Sequence, residues 1–174
     1  MSIAAKNFEI AIKDSEDLLE CYDSINKENP NNAPEVLKRA SLILILTAWE
    51  TYVEDRVTEI FDKSYGMLKG SRLGDFVECK ISEELRRFNN PDSQKTKKIF
   101  MEFAGVDITE KWSWPNFDSK TVRATLDSWI KKRGEAVHRS RVEQSGPHIV
   151  KREELDKCLR FFKELVGATE SALD

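Results

Sequence analysis

A long stretch with helical periodicity, from about residue 34 to residue 66, constrains the fold of this chain more than any other feature. Apolar residues recur along it every three to four positions, with Pro34 in the first turn and Gly66 at the end, as in an amphipathic helix. Its most apolar run, residues 40 to 49, is about half of the ~20 residues that span a bilayer, and Arg39 and Glu50 bracket it. The stretch therefore predicts a buried central helix and no membrane span.

Further segments with helical periodicity lie on both sides of this central helix. The 174 residues include only seven Gly and five Pro, with 40% hydrophobic and 34% charged residues, a composition that favours long amphipathic helices. Besides the central helix, the pattern predicts helices over about 3–27, 75–88, 93–105, from 118 or 119 through 137, and 150–172. Ser93 is the expected N-cap of the fourth. The sequence thus predicts one all-α domain of about six helices over residues 1–174.

Some classes of function are disfavoured by composition. The first residues lack the basic start and apolar run of a secretory signal, so a cytoplasmic protein is expected. Cys21, Cys79 and Cys158 are odd in number and far apart, which argues against a disulfide framework and against zinc binding. No cluster of carboxylates, His or Cys has metal-ligand spacing, so neither a metal nor another cofactor is expected.

Charge is distributed unevenly along the chain. The net charge is −3, but residues 131 to 152 hold seven basic side chains against two acidic ones. A basic patch on an acidic protein can attract phosphate groups without general adhesion to polyanions. The predicted phosphate-binding residues for RNA are Lys131, Lys132, Arg139 and Arg141. A solvated charged surface with no ligand is the alternative interpretation.

Two charged residues interrupt apolar stripes on different helices. Arg133 continues the apolar series Val122, Leu126, Trp129 and Val137 of the fifth helix, where an unpaired arginine would be costly. Glu50 has the complementary position on the central helix, on a face otherwise committed to burial. We therefore expect an ion pair between Arg133 and Glu50. Such a pair is either structural only or orients a functional arginine.

Five residues after Arg133 stands His138, the side chain best suited to proton transfer near neutral pH. Five residues rotate a helix by about 140°, so one chain supplies only part of a site. Two copies packed around a two-fold axis would gather two arginines and two histidines, enough for metal-independent RNA cleavage. Arg141 and His148 have a similar spacing, but their segment contains the predicted loop at 145–147.

The sequence resembles a known family over roughly residues 35 to 140. Arg133 to His138 is similar to the R-x4-6-H motif of HEPN domains, and ILTAWETYVEDRVTEIF at 45–61 resembles the central helix of the RiboL-PSP-HEPN branch. FNNP at 88–91, the IFMEFAGVDIT segment and WSW at 112–114 are also similar to that branch. The resemblance implies a helical bundle and a homodimer with a composite cleft. Arg133 and His138 would be catalytic, with Glu50 in support.

The resemblance also implies a function. It suggests a metal-independent endoribonuclease of toxin or phage-defence type that cuts single-stranded RNA, with an antitoxin or another regulatory protein as a further partner. Gly134 departs from the family pattern, which usually has a polar residue after the motif arginine. Two alternatives therefore stay open: a non-catalytic HEPN module that binds RNA or a partner protein, and a purely structural helical dimer.

Overall fold

The computed structural model describes residues 1–30, 33–138 and 149–173, without the side chain of His138. These ranges contain six α-helices: α1 (Ile3–Glu28), α2 (Glu35–Tyr65), α3 (Arg72–Arg87), α4 (Ser93–Ala104), α5 (Ser119–His138) and α6 (Arg152–Leu173). Short 3-10 turns follow α2 and precede α5. The described residues form no β-strand, only an isolated antiparallel bridge between Trp114 and Phe117. The predicted all-α class is confirmed.

The second helix, α2, lies at the centre of the bundle, as its periodicity predicted. It contacts each of the other five helices. Leu42, Ile45, Leu46 and Val53 on α2 are fully buried. Burying an aliphatic side chain stabilises a fold by roughly 1.5–3 kcal/mol, so this helix provides a large part of the core. Within the described residues, no helix is long and apolar enough to cross a bilayer.

Aromatic packing joins α2 to α6 and to the segment before α5. The Trp49 ring packs against Trp112 and Phe162, with centroid distances of 6.3 and 6.0 Å. Each indole N–H finds an acceptor: Trp112 donates to Thr169 Oγ1 at 3.0 Å, and Trp49 donates to the carbonyl of Pro91 at 3.2 Å. The second bond fixes the α3–α4 loop against α2, which matters for the site below.

Helix ends differ from the sequence predictions where a polar side chain caps the backbone. Helix α3 begins three residues earlier than expected because Ser71 accepts a hydrogen bond from the backbone N–H of Gly74. The cap of α4 is Asp92 and not Ser93, since Asp92 accepts from the N–H of Lys95 at 2.8 Å. The left-handed Gly105 (φ 68°) ends α4 as predicted.

Two residues of the predicted α5 stripe are less buried than expected. Val137 is 46% exposed, and the neighbouring Ala136 takes the buried position. Trp129 is only partly buried and faces a groove between α5 and α6. The stripe is narrower than the sequence suggested because α5 packs mainly against α2 and α4, which leave Trp129 and Val137 partly uncovered. Val122 and Leu126 are fully buried, as predicted.

Candidate functional site

Arg133 and Glu50 form the predicted ion pair between α5 and α2. Arg133 Nη1 lies 2.6 Å from Glu50 Oε2. The two side chains keep 17% and 19% of their surface exposed, so the pair is mostly buried at the edge of the core. The two charged residues that interrupt separate apolar stripes thus neutralise each other, at a position that solvent and ligands can still reach.

Two further side chains hold the guanidinium of Arg133. Nη1 also donates to Asn90 Oδ1 at 3.0 Å, and Nη2 donates to Thr47 Oγ1 at 3.4 Å. The backbone N–H of Asn90 donates to the same Glu50 oxygen at 3.2 Å, which closes the network. A guanidinium has five N–H donors. Among the described residues, Arg133 Nε and one N–H of Nη2 have no recorded partner.

The α3–α4 loop brings Asn90 to this network. Asn90 has a left-handed backbone (φ 48°), a conformation that asparagine tolerates better than most residues. The Trp49–Pro91 bond holds the loop on α2, while Asp127 of α5 accepts from both the N–H and the hydroxyl of Ser93. The loop is thereby clamped between the helices that carry Glu50 and Arg133. Sequence reasoning did not assign Asn90 or Thr47 to the site, although an Asn pair before Pro91 signals a special turn.

We predict that the two contributions of Asn90 can be separated. Asn90→Gly keeps the left-handed backbone and removes the bond to Arg133, for an expected loss of about 1 kcal/mol. Asn90→Ala adds a strain of about 1 kcal/mol, because a left-handed conformation is unfavourable for alanine. Denaturant unfolding measures both. Asn116 (φ 71°) is the matched control, since it shares the conformation without a recorded bond to Arg133. If Asn90→Gly proves as mild as Asn116→Gly, the contact to Arg133 contributes nothing.

A second carboxylate on α2 lies one helical turn from Glu50. Burial, together with the negative charges of Glu50 and Asp55, raises the pKa of Glu54 to about 6. Glu54 is partly buried. The face of α2 beside Arg133 therefore holds a carboxyl group that titrates close to neutral pH.

Glu54 should make stability depend on pH. Its pKa is higher in the folded chain than the ordinary 4.5, so the folded state binds more protons between pH 4.5 and 6. Stability therefore falls as pH rises through that window. Glu54→Gln should be more stable than wild type by about 1 kcal/mol at pH 7.5, after allowance for solvent screening, and equal to it at pH 4. Thermal melts at both pH values test this. The exposed Glu20→Gln is the control, and an equal effect of Glu54→Gln at both pH values would rule the explanation out.

The structure describes only some of the other predicted site residues. Lys131 is exposed. Lys132 is engaged already: its Nζ lies 2.7 Å from Glu154 Oε1 and 5.1 Å from the centroid of the Trp129 ring. His138 is the last residue of α5, and its side chain lies outside the described part of the chain, as do Arg139 and Arg141. Phosphate binding by these residues stays a prediction.

The backbone of α5 sets the relation between Arg133 and His138. Five residues advance a helix by about 7.5 Å and rotate it by about 140°. Arg133 points toward α2, so His138 starts from a different side of the helix. This angle of about 140° between the two side chains is the reason why a composite site between two copies of the chain is predicted. Within the described residues, no group of three or more His, Cys, Asp or Glu side chains could hold a metal ion.

Comparison with known protein families gives an extensive match. The family model described as RiboL-PSP-HEPN matches residues 10–174. Neither the curated proteins nor the solved structures gave a match. The matched range includes the Glu50–Arg133 pair, Asn90 and His138, and all of the helices apart from the first two turns of α1. The chain therefore belongs to the RiboL-PSP-HEPN family, as the resemblance of its motifs indicated.

Proposed function

We propose that this protein is a metal-independent endoribonuclease that cuts single-stranded RNA in a cleft between two copies of the chain. The observation that carries the proposal is the fixed guanidinium of Arg133. Glu50 and Asn90 hold it in one orientation with N–H donors to spare, five residues before His138 on the same helix of a HEPN protein. A preoriented cation is what a phosphoryl transition state requires.

The proposed reaction uses the ribose 2′-hydroxyl as the nucleophile. One His138 takes the proton of that hydroxyl, and its oxygen attacks the adjacent phosphorus. The second copy supplies the other histidine, which protonates the departing 5′-oxygen. Arg133 donates hydrogen bonds to the non-bridging oxygens, where negative charge accumulates. The products are a 2′,3′-cyclic phosphate and a 5′-hydroxyl, and no metal takes part in either proton transfer.

The composite cleft requires a homodimer. Arg133 and His138 leave α5 in different directions, so a second α5 across a two-fold axis supplies the groups that one chain lacks. Sedimentation at micromolar concentration should give a dimer, with or without RNA. A chain that stays monomeric in the presence of RNA would contradict this arrangement.

The biological setting is proposed from the family. A toxin or phage-defence effector acting in the cytoplasm, controlled by an antitoxin or another regulatory protein, fits an RNA-cleaving HEPN protein. The direct test of the activity is incubation of purified protein with mixed-sequence single-stranded RNA in EDTA, with DNA of the same sequence as the control. Cleavage of the RNA with the DNA left intact supports the proposal, and equal cutting of the DNA refutes it.

A non-catalytic RNA-binding or protein-binding module is the second candidate, and Gly134 favours it. A Cβ built at Gly134 meets no atom of the described residues within 4 Å, so their packing does not require glycine there. No steric reason among the described residues therefore accounts for the missing side chain beside Arg133. A glycine within a helix also costs about 1 kcal/mol of stability relative to alanine. RNA binding without cleavage under any ionic condition would decide for this candidate.

A further inference from the structure

A groove runs between α5 and α6 on a different side of α5 from Glu50. It has a volume of about 670 Å³ and is lined by three lysines, Lys120, Lys132 and Lys157, together with Trp129. The hydroxyl groups of Thr121, Thr125 and Ser128 complete the α5 wall. Cations, hydroxyls and an indole therefore share one concave surface that the Arg133 network does not use.

The groove has a surplus of positive charge. Glu154 is its one acidic lining residue among those described, and it pairs with Lys132 at 2.7 Å. The hydrogen bond from Lys132 lowers the pKa of Glu154, so this pair stays charged and mutually neutral. Lys120 and Lys157 are exposed and have no ion pair among the described residues. Two ammonium groups are thus left to attract an anionic ligand.

A second, smaller groove of about 390 Å³ adjoins the first. Lys157 lines both, and the second adds Arg160, Trp114 and Phe117 together with a further carboxylate, Glu164. The four cations that line the two grooves outnumber their two carboxylates, Glu154 and Glu164. The rings of Trp114 and Phe117 stack with a centroid distance of 5.2 Å and an interplanar angle of 28°. The two grooves form one surface, which we call the lysine–aromatic track: Lys120, Lys132, Lys157, Arg160, Trp114 and Trp129.

The chemistry of this track matches a single-stranded polynucleotide. Such strands are bound where cations follow the phosphates and aromatic side chains contact the faces of unpaired bases. In a duplex the base faces are stacked on one another, so the aromatic residues of the track could not contact them. A second copy of the same track would bring lysines against lysines, so self-association through this surface is unfavourable.

Its position connects the track to the candidate active site. Lys132 is the immediate neighbour of Arg133, and Lys120 lies twelve residues, about 18 Å of helix, further from it. We propose that the lysine–aromatic track binds the single strand that flanks the site of cleavage. This inference rests on the proposed function in one respect, that the bound strand is the RNA that the protein cuts. Binding of the strand itself requires no catalysis.

The test measures binding of a fluorescein-labelled 12-nucleotide single-stranded RNA by anisotropy, in EDTA and in a His138→Ala background that keeps the strand intact. Lys120→Ala/Lys157→Ala should weaken binding at least tenfold. It should also reduce the slope of log K against log salt by about 1.4, for two phosphate contacts on a single strand. Lys6→Ala/Lys13→Ala removes the same charge from exposed positions on α1 and should change affinity less than twofold.

Intrinsic fluorescence tests the aromatic part. Trp49 and Trp112 are fully buried, so Trp114 and Trp129 are the indoles that a strand can reach. Unlabelled RNA should quench the emission of the chain, and Trp129→Phe should lose roughly half of that quenching. A single-stranded DNA of equal length should compete for the track, whereas an RNA duplex should compete at least tenfold less well.

Several results would overturn the inference. The first is an equal RNA affinity of the two lysine double variants, and the second is equal competition by duplex RNA and single-stranded RNA. The third is an acidic peptide that competes better than single-stranded RNA, which would make the track a protein-docking surface. Failure of the proposed function is a separate outcome. A chain that never cuts RNA but loses binding with Lys120 and Lys157 supports the track alone, and a chain that cuts RNA but binds it independently of these lysines refutes the track alone.

Discussion

Glu50→Ala is expected to lower the free energy of unfolding by about 3 kcal/mol. Breaking a buried charge pair by removing one partner costs roughly 3–5 kcal/mol, and the lower end applies here because both side chains keep some exposure. The substitution also removes the acceptor of the Asn90 N–H. Urea unfolding at pH 7.5 measures the loss.

A double-mutant cycle isolates the interaction itself. We expect Glu50→Gln, Arg133→Gln and their combination to give a coupling energy of about 1.5–3 kcal/mol. The Lys80–Glu84 pair is the matched control: its atoms lie 2.8 Å apart, but Lys80 is 44% exposed, and exposed pairs on one helix couple only weakly. A coupling for Glu50–Arg133 no larger than this control would show that the network does not hold the arginine.

His138→Ala is expected to reduce RNA cleavage by 10²–10⁴-fold with the fold intact, the range that general acid–base catalysis contributes. His148→Ala is its matched control, since it tests the rival Arg141/His148 pair, and should cut at the wild-type rate. RNA affinity should barely change in His138→Ala, because the histidine acts on protons and not on the phosphate charge. Cleavage time courses and anisotropy on the same preparations measure both quantities.

Arg133 should behave differently from His138 in binding. Arg133→Ala is expected to reduce cleavage by about 10²–10³-fold and also to weaken RNA affinity, because the guanidinium contacts phosphate before and during the reaction. Arg133→Lys keeps the charge but loses the planar fork that meets Glu50, Asn90 and Thr47, so it should recover binding and little of the rate. Arg123→Ala, which removes a surface pair between α5 and Glu110 of the preceding 3-10 turn, should leave both unchanged. If Arg133→Ala and Arg123→Ala have the same effect on rate, Arg133 is not part of the machinery.

The central helix and the Glu50–Arg133 pair could be predicted because both leave a signature in the local pattern. Periodicity marks the buried face of α2, and a charge on that face requires a partner wherever it lies. Arg133, with the opposite charge, occupied an equivalent position on another strongly patterned helix. The energetic cost of an unpaired buried charge is large enough to override the other possibilities.

The contribution of Asn90 could not be read in the same way. Its role depends on the path of a loop, which the Trp49–Pro91 and Asp127–Ser93 bonds fix over separations of more than thirty residues. Such bonds leave no periodic trace in the sequence. The cap of α4 was assigned one residue too late for a related reason: Ser93 and Asp92 are both good caps, and Ser93 is instead used by Asp127.

The partial exposure of Trp129 could not be predicted for a different reason. Its spacing after Leu126 put it on the apolar stripe, but spacing does not tell how much of that stripe the neighbouring helices cover. The ring is only partly buried against the core and borders the groove, with Lys132 over it. The surface that carries our further inference therefore became visible only when both helices were in place.

The most direct test of ribose-dependent cleavage through His138 is substitution of a single 2′-hydroxyl. A position that the wild-type protein cuts in EDTA is first mapped in a single-stranded RNA, and the ribose 5′ of that bond is then replaced by 2′-deoxyribose. The account predicts that cutting stops at that bond and continues elsewhere. Each cut should leave a 2′,3′-cyclic phosphate on the 5′ fragment and a 5′-hydroxyl on the 3′ fragment, and His138→Ala should cut both places at least a hundredfold more slowly. Cutting at the deoxy position, or products with 3′-hydroxyl and 5′-phosphate ends, would contradict it.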